Sequence, residues 1–174
     1  MNKKGFTLIE LIIYTFAFVI AAVLLTSFIL NLIKIKAKTQ IEKGVLVESQ
    51  RAMETMLLEI RHAQDIYSST SLFNSHPGQL SLKTVRNTPD DEEITYLDFY
   101  LDDNNRLAFK KEGRASEALT SENVKINNLV FRYLTAGEAK SIQIELLAVY
   151  NGPTEKAYYQ ATTTLISSAN LRND

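Results

Sequence analysis

The sequence predicts an α+β protein in which one long N-terminal α-helix packs on a C-terminal antiparallel β-sheet domain. Three observations support this prediction: an uncharged apolar run over residues 11–33, apolar residues at helical spacing over residues 41–67, and alternation with period 2 after Pro77 and Gly78. The chain has 174 residues, 45% hydrophobic composition and a net charge of -1. These values suit one modest core plus one apolar helix, and they give no general attraction to nucleic acid.

The apolar run is long enough to cross a membrane. Its 23 residues span roughly 35 Å as a helix, whereas the hydrocarbon core of a bilayer is about 30 Å thick. The run continues into Lys34, Lys36 and Lys38 without the small-residue cleavage site of an ordinary secretory signal. We therefore expect residues 6–33 to form the membrane-spanning half of the helix.

The helical spacing continues past the run and predicts an amphipathic stalk half over residues 34–67. No proline precedes Pro77, so one unbroken helix is expected from Thr7 to about Ile66. The predicted buried stripe is Ile41, Val45, Ser49, Ala52, Met56, Ile60, Ala63 and Tyr67, with Met53 and Leu57 beside it. The predicted solvated face is Lys43, Arg51, Glu54 and Arg61. Since the stripe lacks the repeated large residues of a coiled coil, we expect it to pack on the chain's own globular domain.

Residues 68–174 are predicted to form the β-rich globular domain. Alternation over residues 94–101, turn composition at residues 102–105 and a second alternating run from Leu107 predict a β-hairpin. Further strands are predicted over residues 128–134, 141–150 and 157–166. We expect a single antiparallel sheet with one face on the stalk half of the helix.

The sequence carries no recognisable catalytic or metal-binding pattern. It has no cysteine, and His62 and His76 share no motif spacing with an acid. The acidic stretch 90–93 and the pair Asp102 and Asp103 lack the ligand spacing and central glycine of a calcium loop, so solvated loops are expected. The basic residues Lys110, Lys111 and Arg114 are a weak nucleic-acid signal because acids surround them. We expect no enzymatic activity, cofactor or metal site, and the sequence gives no clear signal for a nucleic-acid partner.

The residues before the apolar run form the string KKGFTLIEL, residues 3–11. This string resembles the class III signal of type IV prepilins and type II secretion pseudopilins: a short basic leader that ends in glycine, then phenylalanine, then an acidic residue four positions later. The resemblance implies that a prepilin peptidase cuts between Gly5 and Phe6, removes residues 1–5 as a leader and N-methylates Phe6. The mature chain would begin at Phe6 and keep the apolar run.

Glu10 is the acidic residue of this string and the candidate assembly residue. A carboxylate at the end of a membrane helix costs up to a few kcal/mol when it lies in hydrocarbon without a partner. In the family this carboxylate is thought to meet the N-terminal amine of a neighbouring subunit, here the amine of Phe6. A simpler alternative places Glu10 at headgroup level, where it favours the positive end of the helix by about 0.3–1 kcal/mol.

The resemblance also implies a location: a single-pass protein of the cytoplasmic membrane with an extracytoplasmic globular domain, later part of a filament. The lysine count favours the opposite orientation, because Lys34, Lys36, Lys38 and Lys43 follow the run whereas only Lys3 and Lys4 precede it. The motif is more specific than this count, and a leader of five residues leaves nothing else to translocate. We therefore expect the orientation that the motif implies.

Together these features predict a structural minor pilin or pseudopilin, similar to J-type or PilW-like subunits, in a type IV pilus or a type II secretion pseudopilus. The expected partners are the prepilin peptidase, other pilins or pseudopilins through the N-terminal helix, and membrane lipid before assembly. Two alternatives stay open. One is a signal-anchored extracytoplasmic binding module that does not polymerise, and the other is a membrane-tethered enzyme.

Overall fold

The computed structural model describes residues 7–86, 88, 93–137, 139–153 and 160–172. This part of the chain contains one helix, α1 (Leu8–His62), followed by eight strands. The strands are β1 (Asp65–Ile66), β2 (Leu80–Thr84), β3 (Thr95–Leu101), β4 (Leu107–Lys111), β5 (Glu117–Ala118), β6 (Val124–Ala136), β7 (Ala139–Tyr150) and β8 (Thr162–Asn170). They form two antiparallel sheets, β1-β2-β3-β4-β5 and β6-β7-β8. The predicted α+β class is confirmed, whereas the expectation of a single sheet is wrong.

Helix α1 ends earlier than the sequence predicts. Its last residue is His62, four residues before the predicted end near Ile66. The backbone N–H of Gln64 donates to the carbonyl of Lys83 at 2.9 Å, and β1 then pairs with β2. The sheet thus takes the backbone hydrogen bonds that another helical turn would have used, so residues 63–67 belong to the globular domain rather than to the stalk.

The buried face of α1 is the stripe that the sequence predicts. Its buried residues are Val45, Ser49, Ala52, Met53, Met56 and Ile60, and Ala63 at the helix end is buried too. Ile41 and Leu57 are half-buried against the same core, and the four charged residues predicted on the opposite face are exposed. Ser49 fits the stripe because its hydroxyl donates to the carbonyl of Val45 at 2.7 Å. Tyr67 lies beyond the helix and is 42% exposed.

The stalk half of α1 is part of the domain core. It lies mainly against β7 and β8, yet its side chains join residues of both sheets in one buried cluster. Phe99 of the first sheet and Phe131 of the second are both fully buried there, as are Met56 and Ile60 of the helix. Full burial of such a side chain contributes roughly 1.5–3 kcal/mol. The domain therefore holds the C-terminal half of α1 firmly in place.

The predicted hairpin is confirmed as β3 and β4, with Phe99 opposite Phe109 and Leu101 opposite Leu107. Strand β2, which pairs with β3, was not predicted. It is only five residues long and buries four of them, including Ser81 and Thr84, which an apolar pattern does not identify as core residues. Ser81 is 1% exposed because its side chain bonds to Thr70 and Asp98. Those partners lie 11 and 17 residues away, beyond the reach of a local pattern.

The second sheet extends beyond the predicted strands. Strands β6 and β7 form a long hairpin that contains the predicted ranges 128–134 and 141–150, with a register shift between Ile126 and Asn128. Strand β8 is displaced from the predicted range 157–166, of which residues 157–159 lie outside the described part of the chain. Its pairing with β7 continues to Asn170 opposite Ser141. Polar side chains at the end of β8 hid this continuation from an apolar pattern.

Candidate functional site

The first half of α1 is an apolar surface that its own domain does not cover. Every large apolar side chain from Leu8 to Ile35 is exposed, with values between 46% and 78%. The helix contains an 18-residue window of mean hydropathy 2.6, and none of that window is buried. By length and composition this segment can cross a membrane. It is consistent with a membrane anchor, and a continuous apolar surface of this size needs a lipid or protein cover.

The exposed half and the buried half belong to one continuous helix. The 55 residues of α1 correspond to a rod roughly 80 Å long. The helix passes through Gly44 without a break, and a Cβ atom added at Gly44 would meet nothing within 4 Å. Thr26 also stays helical, with its hydroxyl donating to the carbonyl of Ala22 at 2.9 Å. The globular domain is thereby joined to the apolar segment without a linker.

Glu10 lies in the first turn of α1. The helix starts because Thr7 is its N-cap: the hydroxyl oxygen of Thr7 accepts a hydrogen bond from the backbone N–H of Glu10 at 3.4 Å. The hydroxyl of Tyr14, one turn later, donates to the Glu10 carboxylate over a long 3.5 Å. Within the described residues no cation lies within ion-pair distance of this carboxylate. Gly5 and Phe6, the predicted processing and assembly residues, lie outside the described residues.

Several acids and bases of the domain are joined in ion pairs. Lys140 at the tip of the β6-β7 hairpin donates to Asp65 of β1 at 2.7 Å, and this hydrogen bond lowers the pKa of the Asp65 carboxyl. Arg132 and Glu145 pair across β6 and β7 at 2.7 Å. These two pairs connect different strands and give each of the four side chains a structural role.

The predicted basic cluster is only partly a surface feature. Lys111 is 9% exposed, and its ammonium donates to the backbone carbonyl of Arg86. Burial lowers the pKa of Lys111, and the charge of Arg114 lowers it further. Lys110 and Arg114 are exposed. One of the three cations is therefore withdrawn from any binding surface, which weakens the nucleic-acid interpretation.

The two histidines lie in unrelated positions. His62 is exposed, with its Nδ1 atom 2.8 Å from the carbonyl of Leu58. The His76 Nδ1 atom accepts a hydrogen bond from the backbone N–H of Leu129 at 3.1 Å, which ties a loop to β6. In the described part of the chain no three His, Cys, Asp or Glu residues are grouped so that they could hold a metal ion.

The acidic pair in the β3-β4 turn divides into two different residues. The carboxylate of Asp102 accepts hydrogen bonds from the backbone N–H groups of Asn104 and Arg106 and pairs with the Arg106 guanidinium. Asp103 is exposed, and it lines an open polar groove with Glu122 and Asn151. Asp103 is therefore solvated, as expected, whereas Asp102 holds the turn together. Residues 90–92 of the other acidic loop lie outside the described residues.

Comparison of this chain with models of protein families, with curated proteins and with solved structures finds no match. The function of the chain must therefore be inferred from its own residues and geometry. The most informative feature is a single helix whose N-terminal half is apolar and uncovered while its C-terminal half buries one face in the domain.

Proposed function

We propose that this chain is a structural pilin-like subunit, a minor pilin or pseudopilin. In this proposal it is held in the cytoplasmic membrane as a precursor, cut by a prepilin peptidase and assembled through its N-terminal helix into a type IV pilus or a type II secretion pseudopilus. One observation carries the proposal: the N-terminal half of α1 is apolar on all sides and none of its large apolar side chains is buried, while the C-terminal half buries one face in the globular domain.

A filament subunit requires this division of one helix. Before assembly the apolar half needs a lipid environment, since each Å² of apolar surface left in water costs about 25 cal/mol. In a filament the same surface would be covered by the equivalent helices of neighbouring copies. Because α1 is continuous from Leu8 to His62, packing of the apolar halves would fix the positions of the attached domains.

The leader and Glu10 support processing as a step before assembly. The string KKGF precedes the N-cap Thr7 directly, so a cut between Gly5 and Phe6 would free an amine one residue before the cap. The Glu10 carboxylate has a tyrosine hydroxyl beside it but no cation within the described residues. An amine from an adjacent copy would neutralise this acid once the apolar halves of neighbouring helices pack around it and make a lone charge costly.

Processing is tested by the mass and N-terminal sequence of the protein isolated from membranes. We expect a chain that begins at N-methylated Phe6 in cells with a prepilin peptidase and at Met1 in cells without it. A mature N-terminus elsewhere, or one that does not depend on the peptidase, contradicts the processing step. A reporter fused to the C-terminus tests the orientation in the membrane. Reporter activity on the cytoplasmic side would contradict an extracytoplasmic globular domain.

Assembly is tested by the substitution Glu10→Gln, with Glu54→Gln as the matched control. Both substitutions remove one negative charge from α1. Glu10 is half-exposed at the start of the apolar half, whereas Glu54 is exposed on the solvated face of the stalk half. We expect Glu10→Gln to insert into membranes and yet be lost from purified filaments, while Glu54→Gln is retained like the native chain. A binding module that does not polymerise predicts that the two variants function alike.

A further inference from the structure

The seven residues that follow the apolar run form a bare basic neck. The neck, residues 34–40, carries Lys34, Lys36 and Lys38 and no acid, and all three lysines are exposed. The first helix residue buried in the domain is Val45, about 18 Å along the helix from Ile33. The domain therefore leaves the three lysines uncovered, and their side chains can reach a partner outside the fold.

The neck lysines lie on two opposite sides of the helix, with Lys34 and Lys38 on one side and Lys36 on the other. Successive residues of an α-helix are turned by about 100°, so Lys34 and Lys36 point roughly 200° apart, to opposite sides of α1. A single protein groove would contact one side of such a helix. A layer of lipid headgroups surrounds it completely and offers phosphate oxygens in every direction. The arrangement of charge is therefore complementary to an anionic bilayer surface.

The depth of each lysine follows from the helical rise. Measured from Ala22, the middle of the run, Lys34 and Lys36 lie about 18 and 21 Å along the axis. The headgroup layer of one leaflet extends from about 15 to about 22 Å from the bilayer centre. The backbone of Lys38 lies at about 24 Å, so its long side chain can still reach the headgroups. Lys43 lies at about 32 Å, which is roughly a Debye length beyond the headgroup layer.

We infer that the neck lysines bind the headgroups of anionic phospholipids in the leaflet next to the globular domain. Lys34 and Lys36 supply most of the contact. Lys38 supplies less, because the Glu42 carboxylate lies 3.7 Å from its ammonium and neutralises part of its charge. The binding fixes the depth of the unassembled subunit in the membrane, and it explains lysines on the side where a simple charge count does not expect them.

The test uses the full-length chain in phosphatidylcholine bilayers with and without phosphatidylglycerol. Spin-labelled lipids report how strongly each lipid type prefers the surface of the protein. We expect a preference for phosphatidylglycerol that falls by up to about fivefold in Lys34→Gln and in Lys36→Gln, falls less in Lys38→Gln and declines with added salt. Lys43→Gln is the matched control, with the same loss of charge on the same helix, and is expected to behave like the native chain.

The inference rests on the membrane-anchor part of the proposed function, and its outcomes are distinguishable from those of the proposal as a whole. A chain that inserts but shows no preference for phosphatidylglycerol overturns the headgroup contact alone and leaves processing and assembly standing. An equal effect of Lys43→Gln and Lys34→Gln overturns it too, because depth would then not matter. A chain that does not insert into either bilayer overturns both the anchor and the headgroup contact.

Discussion

Replacing Asp102 by alanine is expected to destabilise the globular domain by about 2 kcal/mol. Its carboxylate accepts from the backbone N–H groups of Asn104 at 2.9 Å and Arg106 at 2.8 Å, and each such bond contributes about 1 kcal/mol net. The ion pair with the Arg106 guanidinium at 2.8 Å adds a smaller amount, since both side chains remain partly exposed, at 21% and 25%. The turn also depends on Asn105, which has a φ of 57° and tolerates this left-handed conformation better than most residues.

The assay is urea unfolding of the detergent-solubilised full-length chain, followed by the fluorescence of its eight tyrosines in the absence of tryptophan. Urea is preferred to guanidinium because it does not screen the ion pair. Asp103→Ala is the matched control, since it removes the same group from the next residue, which is exposed and whose side chain makes no hydrogen bond to another described residue. We expect its stability to change by less than about 0.5 kcal/mol. Equal stabilities of Asp102→Ala and Asp103→Ala would refute the reasoning.

The pH dependence provides a second readout of the same contact. Burial raises the pKa of the Asp102 carboxyl, but the hydrogen bonds from Arg106 and Asn104 outweigh burial and hold the pKa below its ordinary value of 3.8. A carboxyl with a lowered pKa stabilises the fold fully above the unfolded pKa and loses this contribution as the pH falls through the folded pKa. The difference between the native chain and Asp102→Ala is therefore expected at pH 7 and should shrink below about pH 4.

Two further substitutions test the buried face of the stalk half and the continuity of α1 through Gly44. Met56→Ala removes a fully buried side chain and should cost roughly 2–5 kcal/mol in the same unfolding assay, whereas Leu58→Ala, at a residue that is 44% exposed, should cost far less. Similar losses would mean that α1 presents a different face to the sheets. Gly44→Ala should raise stability by about 0.5–1 kcal/mol, because the site is in a helix interior with open space around the added Cβ. A loss of stability there would indicate that the helix is not continuous through residue 44.

Much of the fold could be predicted because its longest elements carry regular patterns. The buried stripe of α1 and the inward residues of β7, Ile142, Ile144, Leu146 and Ala148, are read directly from spacing, since one face meets the core and the other meets solvent. The short strands β1, β2 and β5 could not be found in this way. Two to five residues give too few periods, and in β2 buried Thr84 follows Leu80 and Leu82 where the alternation would call for a third apolar residue.

The candidate site was also predicted in part. The apolar run and Glu10 follow from the sequence alone, because an uncharged segment of membrane length and one acid at its start are local features. The structure adds that the run is uncovered and joined without a break to a helix inside the domain. The structure also shows that Lys111 is not part of an exposed basic cluster, because its ammonium donates to the backbone carbonyl of Arg86, 25 residues away.

By itself the sequence determined the α+β class, the length and position of the apolar segment, and the face of α1 that is buried. These properties depend on residues that are close together in the chain. Only the tertiary structure decided that the strands divide into two sheets and that α1 stops at His62. Such features depend on which donors and acceptors fall within hydrogen-bond distance after folding. For example, the Glu48 carboxylate of the helix accepts from the backbone N–H of Ser121, 73 residues away. Spacing along a chain records periodicity, but such partners are set by packing.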